Sequence, residues 1–165
     1  MIFLEETGLN PKMTRLYGRS ARGKRCMGRV PHGHWQTATF IASLRHDRLS
    51  APWLMDGLLF RTYIEQVLAP ELLPGDVVSC DNLSSHKVSG VAQALEKCGD
   101  RLLYLPTSSP DLNPIAMAFS KLKAELRSAA QTTFDGLVEA VGTALGSFSA
   151  VHCRNFLRHA SYATN

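Results

Sequence analysis

Two apolar segments, each followed by a helical pattern, constrain the fold of this chain more than any other feature. The first covers residues 76–81 and leads into a predicted helix at about 86–98. The second covers residues 101–105 and leads through a turn, 106–113, into another helical pattern. Short apolar runs bounded by turn residues are typical of buried strands. Strands that alternate with helices along a chain indicate an α/β fold.

The remaining elements complete one domain over residues 1–165. Hydrophobic content of 45% and charged content of 19% are ordinary for a globular chain that is long enough to bury a core. We predict further strands at 1–6, 25–30 and 35–46, and further helices at about 58–72, 133–147 and 150–162. Residues 51–57, APWLMDG, are expected to turn the chain into the first of these helices, and Pro74-Gly75 to end it. Gly99 is the expected end of helix 86–98.

Positive charge is concentrated near the N-terminus. The net charge of +4 permits a nucleic-acid partner without requiring one. One stretch of 18 residues, 12–29, contains seven Lys and Arg side chains and no acid. Such a run is usually a solvated loop, but in a DNA-processing protein it would contact phosphates.

Cysteine and histidine patterns give little support to a metal or redox motif. No CxxC occurs among the four cysteines, and Cys80 and Cys98 are expected to pack in the core. His32 and His34 could share a strand face and bind zinc, but no third ligand accompanies them. There is no signal peptide and no apolar run long enough to span a bilayer, which predicts a soluble, cytoplasmic protein without a membrane partner.

Asp81 ends the apolar run 76–81, and Glu5 and Glu6 end the first predicted strand. An Asp at a strand end most often shapes a turn or caps a helix. Carboxylates that converge from strand ends could instead hold Mg²⁺, which prefers hard oxygen ligands. Alternation places Glu5 on the side of Phe3 and Glu6 on the opposite side of the strand.

Asn113-Pro114 opens the helix that follows the second segment. Its apolar stripe is Ile115, Phe119, Leu122 and Leu126. Ala116 lies one step off this stripe, on a polar and cationic face with Ser120, Lys123 and Arg127. Next to its core face, the helix therefore has a polar and cationic face that could contact a DNA backbone.

The segments DNLSSHK (81–87) and LPTSSPDLNPI…FSKLK (105–123) resemble the catalytic core of DDE transposases, in the bacterial insertion-sequence branch of the mariner superfamily. The resemblance implies an RNase H-like fold: a mixed central sheet flanked by helices, in the order βββαβαβα, with extra C-terminal helices. It also implies three carboxylates, at positions filled here by Glu5, Asp81 and Ala116. The 34 residues between Asp81 and Ala116 are the spacing typical of that superfamily.

The resemblance implies DNA-strand cleavage and transfer supported by two Mg²⁺ or Mn²⁺ ions, with Glu5 and Asp81 as metal ligands. Ala116 occupies the position of a missing Glu, so we expect the metal site to be weakened and the activity impaired. Glu for Asp at residue 5 moves the carboxylate by about 1.5 Å, comparable to a bond length. The expected DNA-contacting residues are Arg22, Lys24, Arg25, His86, Lys87, Lys121, Lys123 and Arg127.

Members of this family carry N-terminal helix-turn-helix segments, and the present sequence begins at the first catalytic strand, so we expect sequence-specific end binding to be absent. A split reading frame, a truncated copy and an expressed fragment all fit this beginning. Expected partners are transposon ends and target DNA, and a second copy or a full-length transposase. The alternative function is an inactive transposase remnant that binds DNA or a partner without cutting. A different RNase H-like nuclease or a plain nucleic-acid-binding module is a third reading.

Overall fold

Five strands form one mixed sheet in the computed structural model, which describes residues 1–15, 17–28, 37–55, 60–82, 87, 91–96, 99–107 and 109–162. The strands are β1 (Ile2–Leu9), β2 (Ala38–Leu44), β3 (Leu49–Met55), β4 (Val77–Cys80) and β5 (Arg101–Tyr104). Their spatial order is β3-β2-β1-β4-β5. β1 pairs antiparallel with β2 and parallel with β4, and β5 is parallel to β4. The predicted mixed sheet is therefore confirmed.

Helices cover both faces of this sheet. They are α1 (Phe60–Tyr63), which continues through a π-helical segment (Ile64–Leu68) and a 3₁₀ turn (Ala69–Glu71), then α2 (Val91–Glu96), α3 (Pro114–Ala129), α4 (Phe134–Leu145) and α5 (Ala150–His159). Thr133 and Ser149 cap α4 and α5 with their hydroxyls. Gly99 follows α2 at φ +82°, a conformation that glycine adopts without strain. None of the helices in the described ranges is long and apolar enough to cross a membrane.

Successive residues of β1 face two separate cores. Phe3 packs with α3, α4 and α5 on one face, in a cluster that includes Phe119 and Leu122. Leu4 packs on the other face with α1 and α2, in a cluster that includes Tyr63 and Leu95. Because strand side chains alternate, a sheet covered on both faces needs apolar residues at consecutive positions, as β1 has.

Two predicted boundaries in the first third are wrong. Residues 51–57 were expected to form a turn, but Leu49–Met55 is strand β3, paired with β2. Pro52 obscures this strand in the sequence, and it is tolerated because β3 is the edge of the sheet. Strand 25–30 was also expected, yet residues 25–28 are exposed and irregular. The order βββαβαβα holds because β2 and β3 supply the second and third strands.

Several predictions fall outside the described residues. These are the ends of strands 25–30 and 35–46 at residues 29–30 and 35–36, the start of helix 58–72 at 58–59, most of the first half of helix 86–98, the pair His32 and His34, and the residues His86 and Cys98.

A buried ion pair connects the end of β2 to the start of β4. Arg45 donates from Nη2 to Asp76 Oδ2 at 2.6 Å and to the Glu71 carbonyl oxygen at 2.9 Å. The Leu73 amide donates to the same carboxylate at 2.9 Å. Burial alone would raise the pKa of Asp76, but the Leu73 amide and the Arg45 guanidinium outweigh it and lower that pKa. The ion pair holds the start of β4 against the end of β2. It thereby sets the direction of the last residue of β4.

Candidate functional site

Glu5, on β1, lies beside Asp81, the residue that follows β4. The parallel register pairs Leu4 with Cys80, and Glu5 and Asp81 are the next residues along the two chain segments. Adjacent strands lie about 4.7–4.9 Å apart, so both carboxylates arise from one short stretch of the sheet. Both line a single cleft of about 340 Å³. The structure thus brings these two acids together in one cleft.

Glu5 is within β1 rather than at its end, because β1 runs to Leu9 and not to residue 6. The extra residues pair with β2, down to Leu9 opposite Ala38. The pairing with β4 ends at Cys80, so the cleft begins where β4 stops and β1 continues alone along β2. Asp81 therefore leaves the sheet directly beside Glu5, and ligands in open α/β sheets gather at such strand ends.

The first turn of α3 closes the cleft from the other side. Ala116 is half-buried and lines the cleft together with Glu5 and Asp81. Pro114 starts the helix, and Ile115 is fully buried in the core beside it. This anchoring sets the helix phase, so the position after Ile115 faces the carboxylates. Helix phase predicted this direction, and the structure agrees.

Asn113 is a site residue that the sequence did not single out. It occupies the position before α3 where an Asn commonly caps the helix, yet its side chain makes no cap. Instead, Asn113 Nδ2 donates to Glu5 Oε2, and the Glu6 amide donates to Glu5 Oε1 at 3.2 Å. Asn113 is 7% exposed, and its Oδ1 is buried without a hydrogen-bond partner. Its type and position indicate a cap, so no local signal reveals its contact with β1.

The loop after β4 is tied to the turn that precedes α3. Asn82 Nδ2 donates to Thr107 Oγ1 at 3.3 Å. Leu105 extends β5 past its last paired residue, since its amide donates to the Cys80 carbonyl oxygen at 2.8 Å. These contacts hold the wall of the cleft opposite α3. The cleft is thus built on strand ends and a helix start, which are stiff platforms for ligand groups.

Negative charge accumulates at this edge of the sheet. Burial raises the pKa of the Cys80 thiol to about 12, and the charges of Asp81 and Glu5 contribute to the same shift. Cys80 is fully buried and stays protonated, so it packs as a core residue, as predicted. The two carboxylates produce a field that attracts cations.

A third acidic ligand is missing from the described part of the chain. Within it, no group of three or more His, Cys, Asp or Glu side chains is arranged to hold a metal ion. Asp111 sits in the exposed 3₁₀ turn Pro110–Leu112. Glu125 is bound by Lys121 and Ser147. Neither acid lines the cleft, so neither takes the place of a carboxylate at residue 116.

Two lysines of α3 that were predicted to contact DNA, Lys123 and Lys121, point in different directions. Lys123 lines a smaller hollow of about 190 Å³ next to the cleft, together with Glu5, Glu6, Ala116 and Ser120. Lys121, which is also expected to contact DNA, lines neither the cleft nor this hollow, because it points to the α4–α5 connection. There it pairs with Glu125 at 2.6 Å and lies 4.1 Å from the centre of the Phe148 ring.

The basic N-terminal loop is exposed and joined to α3. Arg15 Nε donates to Ser128 Oγ at 3.2 Å, near the C-terminal end of that helix. Lys87 lies over the Tyr104 ring at 5.7 Å, on the far edge strand β5. The exposed cations of the loop are Lys12, Arg15, Arg19, Arg22, Lys24 and Arg25, and Arg127 is half-buried on α3.

Comparison with known proteins identifies the family. Residues 1–137 match the family described as DDE superfamily endonuclease. The chain belongs to the DDE superfamily endonucleases. The match includes all five strands and the whole of α3, hence the three positions that line the cleft. No curated protein matches this endonuclease chain.

Structures of the Mos1 transposase are among the solved structures with a similar fold. The Mos1 paired-end complex with left transposon end matches with a TM-score of 0.71 at 16% identity, over 95% of this chain and 51% of that one. The Mos1 mariner paired-end complex with Mn gives a TM-score of 0.67 at 16% identity, with 95% and 51% covered. The catalytic domain of Mos1 mariner transposase gives 0.64 at 13%, with 95% and 74% covered. The DDE endonuclease chain therefore has the predicted RNase H-like fold, and spans about half the length of the Mos1 chains in the paired-end complexes.

Proposed function

We propose that this chain is the catalytic core of a transposase from a bacterial insertion element, with a metal site too incomplete for efficient strand cleavage. The observation that carries the proposal is the cleft in which Glu5 and Asp81 converge and the third position is Ala116. The same proposal includes transposon ends and target DNA as ligands. It also includes a second copy or a full-length transposase as the protein partner, and a cytoplasmic location.

The donor set in the cleft fits a divalent cation only in part. Glu5 and Asp81 offer hard oxygen ligands of the kind that Mg²⁺ and Mn²⁺ bind, and they would hold the ion. When bound, such ions activate the attacking oxygen and screen the charge on the phosphoryl group. The methyl group of Ala116 has no donor atom, so a two-metal site lacks one of its carboxylates. Two carboxylates neutralise the charge of one divalent ion but not of two.

The unmodified chain is expected to leave DNA intact. Supercoiled plasmid incubated with the chain and Mg²⁺ or Mn²⁺ should show no more nicking than the same sample with a chelator. The reason is the absent carboxylate at residue 116, which weakens charge stabilisation in the transition state. Robust metal-dependent nicking by the unmodified chain would contradict the impaired site.

DNA binding should persist and rest on backbone contacts. Lys123 faces the hollow beside the cleft, and the basic loop is joined to the same helix. Because phosphate contacts release counterions, log K should fall steeply and linearly with log salt. Lys123→Ala should lower the magnitude of that slope by about 1, as expected for one lost phosphate contact. Fluorescence anisotropy of a labelled duplex at four salt concentrations measures both quantities.

Lys121→Ala is the matched control, because it removes the same charge two residues away on the same helix. Lys121 is paired with Glu125 and turned to the α4–α5 connection, so its removal should leave the salt slope unchanged. Equal slopes for both variants would show that the face around Lys123 is not the DNA surface. DNA binding that is independent of salt would contradict binding through phosphate contacts altogether.

A further inference from the structure

We infer that Asn113 supplies the third oxygen of the cleft, so that the chain binds a single divalent cation through Glu5, Asp81 and the Asn113 side-chain carbonyl. This inference deepens the proposed function and rests on it for the location of the metal centre. It assigns to Asn113 a role that its position before α3 does not indicate.

The first support is the unusual state of the Asn113 side chain. An Asn before a helix normally accepts a hydrogen bond from the first turn, but here no such bond forms. Asn113 is more than nine-tenths buried, lines the cleft, and leaves Oδ1 without a hydrogen-bond partner. A buried carbonyl without a partner costs about 1–3 kcal/mol, so a full set of hydrogen bonds does not fix the orientation of this amide.

The second support is the contact between Asn113 and Glu5. Asn113 Nδ2 donates to Glu5 Oε2, so the amide group already touches the carboxylate that would hold the ion. A half-turn of the amide about its own bond exchanges its nitrogen and oxygen. The oxygen then lies on the Glu5 side, where a cation between the two groups would contact both. Amide carbonyls are ordinary ligands of Ca²⁺ and are oxygen donors of the type that Mg²⁺ and Mn²⁺ accept.

The third support is charge. Glu5 and Asp81 carry two negative charges, which match one divalent cation, and a neutral amide adds a ligand without adding charge. The cleft is open to solvent and large enough for several waters, which Mg²⁺ retains when few protein ligands are present. A single ion with water-completed coordination therefore suits this donor set better than a pair.

Asn82 provides the internal comparison. It has the same side chain, lines the same cleft, and also has a buried Oδ1 without a partner. Its amide nitrogen, however, donates to Thr107 at 3.3 Å and not to a carboxylate. Substitutions at Asn82 therefore change the same type of side chain in the same cleft without touching the group that contacts Glu5.

The test is a Mn²⁺ titration followed by electron paramagnetic resonance, in which the signal of free Mn²⁺ falls as the ion binds. The unmodified chain should bind one Mn²⁺. Asn113→Ala should weaken binding by about tenfold or more, the scale seen when groups that support a metal site are lost. Asn82→Ala should weaken binding clearly less than Asn113→Ala, because it removes a contact within the cleft wall and not a group that contacts the ion. Unchanged or tighter binding in Asn113→Ala, or equal losses in both variants, would overturn the inference.

A pair of Asp variants answers the question if Asn113→Ala does not fold, which circular dichroism in the absence of metal would reveal. Asn113→Asp and Asn82→Asp each add one charge to the same cleft at nearly the same side-chain volume. Asn113→Asp should bind Mn²⁺ about tenfold more tightly than Asn82→Asp, because only residue 113 contacts the ion. Equal affinities of the two Asp variants would refute direct ligation.

Mn²⁺ binding, compared with DNA binding and DNA nicking by the same chain, separates this inference from the proposed function. A chain that binds no Mn²⁺ but still binds DNA with a steep salt dependence would refute the role of Asn113 and leave the proposed function standing. A chain that binds one Mn²⁺ through Asn113 and also cuts DNA robustly would refute the impaired site and leave the inference standing.

Discussion

Ala116→Glu should nick DNA with Mg²⁺ or Mn²⁺, an activity that the unmodified chain is expected to lack. Residue 116 lines the same cleft as Glu5 and Asp81, and about 340 Å³ is available there for the longer side chain. A carboxylate at this position would complete the set of three carboxylates and supply the negative charge that a two-metal site needs. Metal ions supply several kcal/mol of transition-state stabilisation. Recovering that stabilisation corresponds to a gain of roughly a hundredfold or more in nicking rate.

Ala116→Gln is the matched control, since it has the length of Glu without the charge. It should leave nicking at the background rate, whereas Ala116→Glu raises it in a manner abolished by chelation. Adding Glu5→Asp to Ala116→Glu should raise the rate further, because the shorter side chain moves the first carboxylate by about 1.5 Å, a distance that matters for catalysis. Nicking that is equal in the Glu and Gln variants would show that residue 116 is not a ligand position.

Arg45→Ala should destabilise the fold by up to about 3–5 kcal/mol, because it leaves the largely buried Asp76 carboxylate with only the more distant N-terminal ammonium, at 3.9 Å, as its cation. The side chains of Arg45 and Asp76 are only 10% and 11% exposed, and the pair joins β2 to the residue that precedes β4. The loss should appear as a fall of the thermal midpoint on the order of 10 °C in a chain of this size. Circular dichroism melting at pH 7 measures it.

Arg61→Ala is the control for the ion pair. Arg61 and Glu65 form a pair at 2.8 Å, but their side chains are 57% and 42% exposed. Such surface pairs on a helix contribute about 0.3–0.5 kcal/mol. The midpoint of Arg61→Ala should therefore fall by about 1–2 °C. Comparable losses in both variants would contradict a special role for the Arg45–Asp76 pair.

The same pair predicts the acid dependence of stability. The folded-state pKa of Asp76 is lowered below its unfolded value, so its contribution is fully present above the unfolded pKa of about 3.9. That contribution is lost as the pH falls through the unfolded and then the folded pKa. The difference in unfolding free energy between the unmodified chain and Asp76→Asn should therefore shrink below about pH 4. A constant difference from pH 7 to pH 3 would contradict this assignment.

Segments with strong local signals were predicted well. Pro114 starts α3 as expected, and α4 and α5 begin beside Thr133 and Ser149, residues whose hydroxyls cap them. β3 was missed, because Pro52 suits a turn and only the edge position of the strand makes it harmless. Strand 25–30 was predicted, but the described residues of that segment, 25–28, are exposed and irregular. The direction of Lys121 could not be predicted from the sequence, because its contacts with Glu125 and Ser147 depend on how α4 and α5 pack.

The sequence by itself determined the α/β order, the resemblance to DDE enzymes, and the three positions Glu5, Asp81 and Ala116. Those features depend on local patterns and on spacing along the chain, which are readable without coordinates. Only the tertiary structure decided that Asn113 turns away from its own helix to contact Glu5, 108 residues earlier. The parallel pairing of β1 with β4 and the packing of α3 on the sheet bring these groups together. A contact of that kind has no local signature, because neither residue's neighbours along the chain differ from those of an ordinary cap or strand.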